Sequence, residues 1–158
     1  MRGPEFDEIA FFRTVQESGA RALLIGRRAL VLLGRPVLTA DYDFWLALDD
    51  IVRFNEAGAT FGLQPTHPPE NARRTGRYAL ENDERVDVLV ARSAPTVDGQ
   101  LVEFAHLWER RRRVALAANV SVQMPTIADL ILTKRIASRP RDLEDIRLLE
   151  ILQQEEGS

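Results

Sequence analysis

Asp41 and Asp43 stand two residues apart in DYDFWLAL (41–48), and Asp87 sits between valines in RVDVLVA (85–91). Both segments are rich in β-branched and aromatic residues and read as strands. Alternation along a strand puts Asp41 and Asp43 on one face, with Tyr42 and Phe44 on the other. Like charges on a half-buried face repel and are poorly solvated, and a cation between them relieves both penalties. If the two strands are neighbours, the carboxylates of Asp41, Asp43 and Asp87 converge and hold two divalent ions. That arrangement serves in-line displacement at phosphorus. The alternative is plainer: Asp41 and Asp43 are solvated where a strand begins, and Asp87 faces water on an edge strand.

Two further residues suit an anionic substrate. Gly26 closes the apolar run ALLIG (22–26) and leads directly into RRALVLLG, a strand-to-helix junction whose backbone N–H groups favour phosphate. Lys134 is the only lysine among 21 basic residues. It shares i, i+3, i+4, i+7 spacing with Ile127, Leu130 and Ile131, so it lies on the apolar stripe of a helix. Thr126 and Asp129 give that helix a capping-box-like start. Lys134 either snorkels to water or aims one compact charge at the phosphate site.

The elements that must position these residues follow from period and punctuation. A helix over residues 5–18 ends at Gly19, and a two-turn helix after Gly26 stops at Gly34. Asp49 and Asp50 suit the cap and first turn of a helix running to Ala59. GLQPTHPPENARRTG (62–76) reads as a loop with a short strand at its start. RYALEN (77–82) and RVDVLVA form strands around an Asn-Asp turn. Residues 99–111 read as a helix, 113–124 as a strand or hairpin, and the remainder as helix broken by Pro140. The fold class is α/β (α+β): one domain over 1–158, a small mixed β-sheet flanked by helices, with residues 126–153 forming a helical C-terminal part.

Composition narrows the chemistry. With 158 residues, 45% of them apolar, the chain supports one substantial core. No apolar run reaches the ~18 residues of a membrane span, and MRGPEFDEIAFFRT lacks the basic start of a signal peptide. The absence of cysteine excludes disulfides, thiolate catalysis and cysteine-ligated zinc, and fits a cytoplasmic location. With His67 and His106 the only histidines, any metal is held by carboxylates, which selects Mg²⁺ or Mn²⁺. Asp142 and Asp145 share a helix face and read as first-turn acids after Pro140. Arg73, Arg74 and Arg77, like the run Arg110 to Arg113, read as solvated surface. Trp45 and Trp108 read as core residues, and His106 as a structural histidine beside Phe104 and Leu107.

Taken in order, Gly26, the short helix to Gly34, RPVLTADYD and the distant VDVLV resemble the nucleotidyltransferase superfamily related to DNA polymerase beta. They look most like its small bacterial AbiEii/MenT-type and minimal members. TIADLILTKRIASRPRDLEDIRLL is similar to the closing pattern of that group. The resemblance covers about residues 20–150 and implies a nucleotidyltransferase-like fold and Mg²⁺-dependent transfer of a nucleoside monophosphate from an NTP to a hydroxyl. The acceptor it implies is tRNA or a protein, within a toxin–antitoxin or phage-defence pair that supplies a cognate partner. It further implies that Asp41, Asp43 and Asp87 bind metal, that Gly26 and Arg27 cradle the triphosphate, that Lys134 contacts phosphate, and that Asp142 is a supporting acid. Arg27 departs from the usual Gly or Ser. It either blocks the close approach of phosphates or adds a guanidinium that binds them. Two further readings stand beside the enzyme: a catalytically silent binding module, acting as an antitoxin or regulatory partner, and an unrelated α/β protein with these acids on its surface.

Overall fold

Residues 6–137 and 139–157 are described in a computed structural model. Helix α1 (Glu8–Ser18) starts where Asp7 accepts a hydrogen bond from the Ala10 amide and ends at Gly19, whose φ of 75° is left-handed; residue 5, where the sequence placed its start, lies outside the described residues. Strand β1 (Ala22–Ile25) runs into α2 (Gly26–Leu32), which stops two residues short of Gly34. β2 (Tyr42–Leu46) follows, then a 3₁₀ turn over Leu48–Asp50 and α3 (Ile51–Ala59). Asp50 does not cap α3 with its side chain. Its carboxylate instead takes the Arg21 amide at 2.8 Å and the Arg21 guanidinium at 2.9 Å. Burial raises the Asp50 pKa, but those bonds outweigh it and hold the carboxyl below its ordinary value.

β3 (Gln64–Pro65) is short, and the segment expected to continue as loop is α4 (Pro69–Thr75). Pro69 occupies the first helical turn, where its missing N–H costs nothing, so the proline-rich sequence starts a helix rather than preventing one. β4 (Arg77–Glu81) and β5 (Arg85–Leu89) form the expected hairpin. The helix expected over 99–111 is shorter than its apolar pattern suggests. β6 (Ser93–Pro95) pairs with β7 (Leu101–Glu103), and only Phe104–Arg110 is helical, as α5. β8 (Arg112–Ala117) and β9 (Val120–Met124) form a hairpin. Two helices close the chain: α6 (Ile127–Lys134), capped by Thr126 accepting from the Asp129 amide, and α7 (Pro140–Gly157).

The main sheet has the order β1-β2-β5-β4-β3. β2 and β5 are parallel, while β1/β2, β5/β4 and β4/β3 are antiparallel. Tyr42 and Phe44 point into the larger core, with Phe11, Phe12 and Phe54. Trp45 faces the opposite side, into a second core with Leu23, Phe104 and Leu107, and donates its indole N–H to the Ala91 carbonyl at 2.8 Å. Trp108 stacks on Phe104 at the edge of that core. Burial on both faces leaves little freedom of register, since a one-residue slip would send Asp43 into the larger core. Among the described residues no helix is long and apolar enough to cross a membrane.

Candidate functional site

Register places the acids. Ile25 is paired with Asp43, and Asp43 with Asp87, across β1, β2 and β5. Paired residues share a sheet face, so the two carboxylates project side by side. The same face carries Trp45 one row further along, which anchors the row in packed structure. Asp41 lies just before β2 and is exposed, its amide bonded to the Thr39 hydroxyl at 3.2 Å.

The electrostatics of this row are unfavourable in the absence of a cation. Burial pushes the Asp43 carboxyl up to about 6, and the charges of Asp87 and Asp41 push the same way against Lys134 and Arg139. Asp87 escapes part of the strain by accepting from the Arg85 guanidinium at 3.1 Å. Asp41 stands exposed at the rim, two residues before this row. Among the described residues no three His, Asp or Glu side chains are drawn together as a metal site. The donor set nonetheless suits a hard cation, since Asp43 and Asp87 offer only oxygen and carry a repulsion that Mg²⁺ or Mn²⁺ would relieve.

Gly26 is required here for two reasons. Its φ is +72°, and a Cβ would lie 2.9 Å from the Asp43 Cβ and Cγ, closer than real contacts allow. The first turn of α2 and the Asp43 carboxylate therefore share one small space.

The cations on the far wall are held by buried acids. The Lys134 amine donates to Asp145 at 2.8 Å, and the lysine is 7% exposed. Arg27 donates to the same Asp145 oxygen at 3.2 Å and to the Leu38 carbonyl at 3.2 Å. Asp142 receives the Arg139 amide at 3.0 Å and its guanidinium at 2.9 Å. Burial raises the Asp142 pKa, but these bonds prevail and hold it below the ordinary value. Asp142 lies in the first turn of α7 as expected, but both it and Asp145 are buried counter-ions, 1% and 0% exposed. A buried ammonium and a half-buried guanidinium without such partners would be destabilising. Between the two walls lies a cleft of about 120 Å³, lined by Gly26, Arg27, Asp41, Asp43, Lys134 and Asp142, among others.

Three-dimensional comparison places this architecture. A candidate nucleotidyltransferase from Thermotoga maritima superposes with a TM-score of 0.57 over 93% of this chain and 88% of its own, at 12% identity. The antibiotic-resistance factor ANT(2'')-Ia, whose solution structure reveals substrate-regulated conformation dynamics, superposes with a TM-score of 0.61 over 89% of this chain and 78% of its own, at 14% identity. The chain has a nucleotidyltransferase fold. No protein-family model and no curated protein matches its sequence.

Within this fold, Gly26, Arg27, Asp41, Asp43, Lys134 and Asp142 line one cleft, and Asp87 stands beside Asp43 on its neighbouring strand. Sequence reasoning missed Thr39, Arg139 and Arg141 as lining residues. The proximity of Arg139 and Arg141 to Asp142 in RPRD was the available signal. His106 is exposed, not structural, and its imidazole lies 3.2 Å from Glu103 on the rim of α5. Arg110 pairs with Asp129 at 2.9 Å, and Arg111 covers the Trp108 ring at 4.0 Å, so that part of the arginine run is tied down rather than merely solvated.

Proposed function

We propose that the chain is a nucleotidyltransferase moving a nucleoside monophosphate from an NTP to a hydroxyl. The observation that carries this reading is the pairing of Asp43 with Asp87 beside Gly26, with the Asp43 carboxyl raised to about 6 by burial and like charge. A site of that kind favours a divalent cation and the phosphates it accompanies. Asp43 and Asp87, with Asp41 at the rim, would hold Mg²⁺ or Mn²⁺, which supplies charge neutralisation on the phosphoryl oxygens. Lys134, Arg27 and Asp142 form the opposing wall, where the two cations face the phosphate chain and Asp142 holds that wall in shape. The acceptor oxygen bonds to the α-phosphorus as the bond to pyrophosphate breaks. Asp87, whose side chain is 40% exposed, is the carboxylate reachable by an incoming hydroxyl and takes its proton.

The acceptor we favour is a tRNA or a protein side chain, in a cytoplasmic toxin–antitoxin or phage-defence pair of the AbiEii/MenT type with a cognate partner. Support for that subfamily rests on the order of the sequence motifs. The test is calorimetric titration with non-hydrolysable NTPs, with and without Mg²⁺, followed by transfer of labelled nucleotide to tRNA and protein. Metal-dependent binding that disappears in Asp43→Ala supports the reading, and transfer that survives unchanged in that variant refutes it.

One observation favours a silent binding module instead. The Arg27 guanidinium is fastened to Asp145 and to the Leu38 carbonyl, across the approach to α2. Under this reading the native chain binds no nucleotide and Arg27→Gly gains binding. Equal binding by both forms rules it out.

A further inference from the structure

A second cavity opens further along the same sheet face. On β2, Ala47 follows Asp43 by four residues and lies on the same side, ~13 Å away at the rise of a strand. There the ends of β2 and β5 and the start of α5 enclose about 410 Å³. That volume falls within the ~300–1,000 Å³ of sites that take a small organic molecule. The cleft beside Asp43 holds about 120 Å³, and among the described residues the two have no lining residue in common. Trp45 stands between them. It follows Asp43 by one row, and its indole N–H holds the carbonyl of Ala91, which lines the second cavity.

The lining has an apolar wall and a charged rim. Leu46 and Val90, both fully buried, form the wall with Phe104 and Trp108, whose rings are stacked 6.0 Å apart. The rim carries both signs. Arg92 follows β5 and is exposed, and among the described residues its side chain has no hydrogen bond or ion pair. Asp49 follows β2, is exposed, and likewise has neither among those residues. Its neighbour Arg21 is already held by Asp50 at 2.9 Å, so two acids face one guanidinium in that corner. Glu103 is turned to His106, 3.2 Å from the imidazole. Because β2 and β5 are adjacent and parallel, Asp49 and Arg92 leave from neighbouring strand ends, ~4.8 Å apart.

This distribution selects its ligand. A simple anion would pair with Arg92 and be repelled by Asp49, and a simple cation would meet the reverse. A neutral apolar molecule would cover both charges and pair with neither, which costs their desolvation. A molecule with an ammonium and a carboxylate on one carbon, and a large apolar side chain, meets all three parts of the lining. We infer that this cavity binds a free α-amino acid with a large apolar side chain: its carboxylate on Arg92, its ammonium on Asp49, and its side chain against Phe104 and Trp108.

Trp108 lines the cavity and is one of two tryptophans in the chain, so tryptophan emission reports on its occupancy. The experiment is fluorescence titration of the full chain, paired with calorimetry and without nucleotide. The probes are L-phenylalanine, phenethylamine, which lacks the carboxylate, and phenylpropionate, which lacks the ammonium. Phenylalanine should bind saturably, and each analogue should bind at least about tenfold more weakly, the scale of one lost charge-assisted hydrogen bond. Arg92→Ala and Asp49→Asn should each weaken phenylalanine by about the same factor; both side chains are exposed, so the core stays intact. Either analogue binding as tightly as phenylalanine overturns the inference. So does phenylalanine binding that neither substitution weakens, or no saturable binding of phenylalanine by either method.

Discussion

Replacing Asp43 with Asn should stabilise the metal-free protein at neutral pH. The carboxyl titrates near 6 in the folded chain, because burial and Asp87 disfavour its charged form. In the unfolded chain it titrates near 4. The folded state therefore holds the extra proton between those values, and stability falls as pH rises from about 4 through about 6. At ~1.4 kcal/mol per pH unit, a window of about two units comes to about 3 kcal/mol, the most this one group can cost above pH 7. Asn keeps the shape and never ionises, so the variant avoids that cost. For a chain of this length the gain corresponds to a rise in Tm of about 6–12 °C. Thermal and urea unfolding in EDTA, at pH 4.5 and 7.5, checks this. The two proteins should converge at the lower pH and separate at the higher one. A variant that is less stable at pH 7.5, or that differs by the same amount at both values, refutes the electrostatic account of the site. Adding Mg²⁺ at pH 7.5 should raise the Tm of the native chain and leave the variant unchanged.

Three other perturbations probe the surrounding structure. Gly26→Ala adds a Cβ against Asp43 at positive φ; it should cost at least about 1–2 kcal/mol in urea unfolding, since the left-handed conformation alone costs that much. Asp145→Ala strands Lys134 and Arg27 without their shared carboxylate; unfolding should show a loss of about 3–5 kcal/mol, and the double variant Asp145→Leu with Lys134→Met should recover much of it. Arg85→Ala releases the Asp87 carboxylate; Mn²⁺ affinity by calorimetry should rise about two- to fivefold, the scale of an exposed ion pair, and no change would argue against Asp87 as a ligand.

The parts of the site that could be read in advance are those fixed by local pattern. Alternation in DYDFWLAL already places Asp43 and Trp45 on one face and Tyr42 and Phe44 on the other, and the structure keeps that division. The strand-to-helix junction at Gly26 and the apolar stripe ending in Lys134 are equally local: the stripe packs into the larger core, and Gly26 and Lys134 line the cleft. The role of Asp145 could not be read this way. Its carboxylate is explained only by Arg27, 118 positions earlier, and by Lys134 across the turn between α6 and α7. Without those partners an acid near Pro140 is best explained by the helix dipole. The same limit applies to Asp87, whose neighbour across the sheet is Asp43 but whose carboxylate turns to Arg85. α4 was lost for a different reason: prolines are strong evidence for a loop, and only position distinguishes a helix start from a break.

The tether between Arg27 and Asp145 spans 118 residues and so bears on the order in which the site matures. A chain emerging from the ribosome presents α2 well before α7. Until α7 arrives, the guanidinium of Arg27 and the amine of Lys134 have no carboxylate to restrain them, and the acidic face of the nascent sheet stands opposite nothing. A chain truncated before residue 140 carries the acidic half of the site without the carboxylates that hold the opposing wall, and the assembled cleft requires α7 to be in place.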